Sequence, residues 1–380
     1  MTNLREQFLL DPEIVFLNHG SFGACPIPVF DEYQRWQREL ERQPVKMLGR
    51  EVDGLLREAM KPLATWLNAD AADCVFVPNA TTGVNIVARS LRLNEDDEVL
   101  TTDHEYGACN YTWEYVCEQA GAHYVKQAIP LPVCPADEFI ERVWAGVTPR
   151  TRVLFLSHIT SPTALVFPLA ELVARARAAG IVTVIDGAHV PGQIPLDLSA
   201  LDPDFYTGNF HKWLCAPKSS AFLYARKEQQ AGLTPNIISW GGHETDFGLR
   251  QQRQATRDPA SYLATPAALA FQQEHDWESV RAACHELAVV AGRALADVSG
   301  SPPLTPDGAW LGQMAAAELP VQPELASAIK TRLYDVHRIE IPIVVWQGRV
   351  FIRVSFQGYN TAAELEILCA ALAETLGSVA

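Results

Sequence analysis

The sequence predicts an α/β protein: a large domain on a mostly parallel seven-stranded sheet, followed by a small C-terminal α+β domain. Three observations predict it. Seven short, apolar, β-rich runs lie between Asp73 and Tyr224, helical periodicity separates several of them, and after Thr256 the texture changes to long helices followed by a few strands. Alternating strands and helices form βαβ units, which need a parallel sheet. Runs such as Val153-Leu154-Phe155-Leu156 and Val182-Thr183-Val184-Ile185 suit strands buried on both faces. Ligands of such sheets sit beyond the carboxyl ends of the strands.

The strands are expected at Cys74 to Val77, Glu98 to Thr101, Ala122 to Val125, Val153 to Ser157, Val182 to Ile185, Asp204 to Tyr206 and Ala221 to Tyr224. Thr82 to Leu91, Ala108 to Ala120 and Leu169 to Ala179 read as helices between them. Beyond the change of texture come helical Ala260 to His275 and Ser279 to Asp297. Leu311 to Ala317, helical Glu324 to Val336, Ile341 to Trp346, Val350 to Val354 and the helix Ala362 to Leu376 follow. The expected divisions are an N-terminal segment over 1–24, the large domain over 25–255 and the small domain over 256–380.

At 380 residues the chain exceeds one ordinary core, and its 48% apolar and 20% charged content is globular. No apolar run approaches the ~18 residues of a membrane span, and Met1 to Leu10 does not read as a secretory leader. A formal charge of −15 argues against nucleic-acid or anionic-membrane partners. Eight scattered cysteines without a C-x-x-C suggest neither a metal site nor a redox pair, and suit reduced core thiols in a cytoplasm. A small molecule is the expected partner.

Four features fall at strand-to-loop junctions. In Val77-Pro78-Asn79-Ala80-Thr81-Thr82-Gly83, a strand ends in small and hydroxyl residues that open a helix. Free N–H groups, the positive end of the helix dipole and a Thr hydroxyl suit a phosphate there, although taken alone the same residues read first as an N-cap. Asp186 ends a buried strand with His189 three residues on; such a carboxylate needs a cation or a turn to cap. In Tyr206-Thr207-Gly208-Asn209-Phe210-His211-Lys212-Trp213, a lysine in apolar surroundings becomes a usable base or Schiff-base former, the alternative being a surface lysine beside a Trp. Tyr106, in Asp103-His104-Glu105-Tyr106, offers a flat face for stacking or for ordinary core packing. Together the four supply what pyridoxal 5′-phosphate requires.

In these stretches, and in Leu17-Asn18-His19-Gly20-Ser21-Phe22-Gly23 and Arg353-Val354-Ser355, the chain resembles the class V, fold-type I pyridoxal-phosphate enzymes of the isopenicillin N epimerase-like branch. The resemblance implies that Lys212 forms an imine with the cofactor, Asp186 pairs with its ring nitrogen, Tyr106 stacks on the ring and His189 lies near the phenolic oxygen or the substrate. It puts phosphate at Ala80 N–H, Thr81, Thr82, Asn209 and His211, with Thr256 arriving from a second subunit of a homodimer that shares its active sites. Arg353 becomes the clamp for a substrate carboxylate, otherwise a strand-end salt bridge. Asn18 and His19 line the mouth, or form only a structural turn. Ser161 falls where relatives carry an amide, and Ala216-Pro217-Lys218-Ser219-Ser220 replaces a glycine-containing stretch. No cysteine stands between Cys284 and Cys369, which disfavours a persulfide-forming desulfurase. The implied activity is proton removal at Cα of an amino-acid-like substrate, ending in epimerisation or Cβ–S cleavage. The alternatives are transamination and a non-catalytic binding protein.

Overall fold

The computed structural model describes residues 4–379. Met1, Thr2 and Asn3, at the head of the expected N-terminal segment, lie outside the described residues, as does Ala380. The large sheet has seven strands, ordered Cys74–Val77, Ala221–Ala225, Phe205–Asn209, Val182–Asp186, Thr151–Ser157, Glu98–Thr102 and His123–Gln127. From Phe205–Asn209 onward every pairing is parallel, whereas Ala221–Ala225 runs antiparallel to both neighbours.

The alternation of side chains along each strand divides the sheet's two faces between two cores. Val75, Val77, Val99, Phe155, Val184 and Leu223 enter one core, beneath the helices Ala80–Ser90 and Gly107–Ala120. Phe76, Leu100, Leu154, Leu156, Ile185 and Phe222 enter the other, which continues into the C-terminal region. Burial on both faces explains why these strands read as unbroken apolar runs.

All seven expected strands are present, Cys74–Val77 with the expected ends and the other six with shifted ones. Phe205–Asn209 runs three residues past Tyr206, because Gly208 and Asn209 pair with Phe222 and Ala221; sheet pairing overrides what reads locally as a Gly-Asn turn. The stretch expected as one helix from Ala260 to His275 is two, Ala260–Leu263 and Thr265–Glu274, with Pro266 in the first turn of the second. Both pack on Ile27–Arg42 and Val52–Trp66, amphipathic helices that the sequence reading passed over.

The small sheet is antiparallel, ordered Ile343–Trp346, Arg349–Ser355 and Met314–Leu319, with the helix Trp277–Ser299 against it. The N-terminal segment ties this part to the large sheet's edge. Val15–Phe16 pairs in parallel with Ile339–Glu340, and Asn18 bridges to Ser355. Ser21 and Phe22 are thereby carried beside the strand that holds Arg353.

Gly187 follows the strand Val182–Asp186, where an added Cβ would lie 2.2 Å from the Tyr206 ring. That ring cannot retreat, being fully buried with its hydroxyl bonded to His158 Nδ1 at 3.0 Å. Gly187→Ala is expected to lose about 1–3 kcal/mol of stability in urea denaturation, the usual cost of overpacking.

Candidate active site

Five strands of the large sheet deliver their carboxyl ends to one cavity of about 580 Å³. Val77 leads to Asn79 and Thr81, Thr102 to Tyr106, Ser157 to Ile159 and Ser161, Asp186 to Ala188 and His189, and Asn209 to His211 and Lys212. Parallel strands make this convergence, since they all end on the same edge.

At the cavity's centre the Lys212 amine lies 3.2 Å from His189 Nε2. Burial, and after it the positive Arg353, lower its pKa from 10.5 to about 7, against the opposing pull of Asp186 and Cys109. A buried ammonium is poorly solvated, so the free amine is accessible near neutrality. His189 is held well below its usual range, chiefly by burial and then by Lys212. Asp186, 3% exposed, accepts from Ala188 N–H at 2.9 Å and from the Cys109 thiol at 3.5 Å. Burial raises its pKa, and a weak thiol donor leaves one carboxylate oxygen short of a strong partner. That oxygen suits a protonated ring nitrogen.

The helix Ala80–Ser90 begins at the cavity. Asn79 caps it, its Oδ1 accepting from Thr82 N–H at 2.8 Å and the Thr82 hydroxyl at 3.0 Å. Asn209 Oδ1 takes Ala80 N–H at 2.8 Å, which leaves the Asn209 amide hydrogens for the cavity. Thr81 N–H has no protein acceptor among the described residues. His211 Nδ1 bonds the Ser220 carbonyl at 3.0 Å, so its Nε2 donates only when the ring is protonated. Burial lowers its pKa to about 4, and an anion beside it would oppose that shift. A helix N-terminus with unused donors is an anion site, and here it lines the same cavity as the carboxylate that would take a ring nitrogen. The donor set fits pyridoxal 5′-phosphate.

Arg353 is 4% exposed and meets no carboxylate among the described residues. Its Nη1 donates to the Ser161 carbonyl and, at 3.1 Å, to the Ser161 hydroxyl; Nη2 reaches Ser21 Oγ at 3.4 Å, and Nε has no partner. Burial lowers its pKa to about 10. A buried guanidinium without a counter-ion, behind two serines that line the cavity, is provision for an anion that arrives with a ligand.

The structure therefore brings together Ala80, Thr81, Tyr106, Ser161, Asp186, His189, Asn209, His211 and Lys212. Others differ from expectation. The Ala80 N–H is already taken by Asn209, and Thr82 is turned to Asn79 as part of the cap. His19 does not line the mouth: it is fully buried, its Nε2 2.9 Å from the Lys212 carbonyl and its Nδ1 2.8 Å from the Tyr359 hydroxyl. Asn18 bonds Glu340 at 2.8 Å and Ser21 at 2.5 Å, leaving Ser21 and the 72%-exposed Phe22 at the mouth instead. Thr256 lines a separate cavity with Ser239, Trp240 and Arg257. Ser161 accepts from Arg353 Nη1 through its hydroxyl as well as its carbonyl.

Several contributors were missed. Ser157, Ile159, Lys218 and Ser219 also line the cavity, and Glu105 sits behind it, bonded to Ser157 N–H at 2.7 Å. Burial pushes Glu105 up to about 7. The signal for Lys218 and Ser219 was the unusual loop after the lysine. Gly23, at φ +73, lets the N-terminal segment press against the His211–Lys212 backbone, since a Cβ there would lie 2.2 Å from the His211 carbonyl oxygen.

Residues 26–306 match the family Aminotransferase class-V. The chain is 37% identical to the isopenicillin N epimerase of Streptomyces clavuligerus, over 97% of this chain and 96% of that protein. It is 31% identical to the Arabidopsis thaliana protein named "Probable L-cysteine desulfhydrase, chloroplastic", over 92% and 80%. Among solved structures, a C-DES mutant with glycine covalently linked to its PLP cofactor superposes with a TM-score of 0.84, at 24% identity, over 98% of this chain and all of that one.

The lowered Lys212 pKa carries a pH signature in the cofactor-free chain. Between about 7 and the unfolded value of 10.5, the unfolded chain binds the extra proton, so this group makes stability rise with pH. Urea denaturation from pH 7 to 8.5 should show that rise, and Lys212→Met should flatten it.

Proposed function

The chain belongs to the class-V aminotransferase family, which works with pyridoxal 5′-phosphate, and on that footing we propose that it is a lyase. Its reaction would remove the Cα proton of an L-cysteine derivative and expel the Cβ sulfur. When bound, the cofactor supplies the electron sink that makes the Cα proton acidic. Thr81, Asn209 and His211 would hold the phosphate, Asp186 the ring nitrogen and Tyr106 the ring face, with Lys212 at the aldehyde. Arg353 would fix the substrate carboxylate, orienting Cα towards the Lys212 amine. Lys212 Nζ then takes the Cα proton, which its position and its pKa of about 7 equip it to do.

One observation carries the choice of reaction. Lys212 and His189 are in contact at 3.2 Å, so these two proton carriers serve one point rather than two opposite faces of a substrate carbon. Elimination needs one base at Cα and a proton for the departing sulfur, which a single cluster can supply. Epimerisation stands as the second reading, favoured by the 37% identity to isopenicillin N epimerase.

We also infer a homodimer in a reducing cytoplasm. Phe22, Tyr106, Tyr111, Tyr115 and Trp240 are exposed aromatics, with Phe22 and Tyr106 at the cavity itself, and exposed aromatics suit contact with a second copy. Thr256, remote from the cavity of its own chain, would serve that of its partner. The eight cysteines are all free, and no described helix is long and apolar enough to cross a membrane.

Purified holoenzyme incubated in deuterated solvent with cysteine, cysteine conjugates and their sulfoxides should release pyruvate, ammonia and the sulfur fragment. Deuterium at Cα with lost configuration and no pyruvate would establish epimerisation instead, and an oxo acid retaining its sulfur would establish transamination. Arg353→Lys should lower kcat/KM by roughly 10–100-fold, mainly through KM, because a lysine cannot reproduce the two-pronged carboxylate contact.

A further inference from the structure

Trp213 follows Lys212 directly, yet its side chain reaches back to the imidazole that the lysine faces. Its indole Nε1 lies 3.3 Å from His189 Nδ1, and the Lys212 amine lies 3.2 Å from Nε2 of the same ring. An indole N–H only donates, so Nδ1 of His189 has to accept, and the ring's single proton belongs on Nε2. No other described residue bonds either nitrogen, so nothing competes with the indole for the choice of tautomer.

The consequence falls on the lysine. An Nε2–H aimed at an ammonium sets donor against donor, whereas the same N–H aimed at a neutral amine makes a hydrogen bond to its lone pair. We propose that Trp213 is a positioning residue that fixes His189 as its Nε2–H tautomer and so holds the Lys212 amine in the neutral, proton-accepting form. The burial of the lysine acts in the same direction. The other groups around the pair are Arg353 from the small sheet, Asp186 at the strand end, Cys109 from the helix Gly107–Ala120, and the imidazoles of His19 and His211.

The surroundings make the indole rigid enough for this. Trp213 is fully buried, packs against the His19 ring with centroids 5.0 Å apart, and its carbonyl accepts from Gln272 Nε2 at 2.7 Å. Gly192, at φ +92, allows a close backbone approach: a Cβ there would lie 2.4 Å from the Trp213 carbonyl carbon. The functional weight of the tautomer rests on the proposed role of Lys212 as the Cα base, but the tautomer itself does not.

The test uses the full-length chain freed of cofactor and labelled with nitrogen-15 in its histidine rings. Long-range proton–nitrogen correlation, with His189 assigned by its loss in His189→Asn, should show the Nε2–H tautomer at neutral pH. In Trp213→Phe the constraint on Nδ1 is gone. His189 should then turn its lone pair to the lysine, and the pH midpoint for reductive methylation of Lys212, read by peptide mass spectrometry, should rise by about one unit. An Nδ1–H tautomer in the parent chain would overturn the proposal, and so would an unchanged Lys212 midpoint in a folded Trp213→Phe. If that variant does not fold, the parent tautomer decides alone. Failure of the lyase reading leaves a distinct signature: the Nε2–H tautomer is found while no substrate is turned over.

Discussion

The Lys212 amine is placed where water cannot adequately solvate its charge, and much of the surrounding structure follows from that constraint. The ammonium has a second buried cation, Arg353, for company and one carboxylate, Asp186, to offset it. Such an arrangement tends to expel the proton, leaving a nucleophilic, basic nitrogen at ordinary pH. Holding it there takes a strand end that cannot move, and the chain fixes that end from several sides. His19 bonds the lysine's own carbonyl, Gln272 bonds the next one, and the Gly23 turn seats the N-terminal segment against the His211–Lys212 backbone.

Charge is distributed to match. A protein with a formal charge of −15 lines this cavity with Lys212 and Lys218, sets Arg353 behind it, and admits one carboxylate. The helix N-terminus with the unused Thr81 N–H adds a partial positive charge at one end. The cavity is therefore built for a ligand rich in negative charge, and a phosphorylated cofactor carrying an amino-acid carboxylate is one. Burying Arg353 without a counter-ion costs stability in the ligand-free chain, a cost that a bound carboxylate offsets.

Much of this was legible in the sequence because parallel strands buried on both faces have to be apolar at every position, and their ends have to carry whatever the site needs. The buried strands could be read on that ground, and the run from Asn209 to Lys212 begins where one of them ends; the edge strand His123–Gln127 is partly exposed and shows its bounds less clearly. What the sequence concealed is what depends on contacts between distant segments. His19 and Asn18 belong to a motif that reads like a mouth, but Tyr359, Glu340 and the Lys212 carbonyl claim their polar atoms. Thr82 looks like a phosphate ligand because hydroxyls that cap helices and hydroxyls that bind anions occur in the same place. The helices Ile27–Arg42 and Val52–Trp66 went unread, and Trp213 read as an aromatic neighbour rather than a donor to a histidine 24 residues before it.

The most direct test is borohydride reduction of the protein loaded with pyridoxal phosphate, followed by digestion and mass spectrometry of every lysine-containing peptide. The account predicts loss of the yellow colour and one reduced adduct per chain, on the peptide containing Lys212 and absent from Lys212→Ala. An adduct confined to Lys218 or to surface lysines, or a protein that never takes up the cofactor, would contradict it.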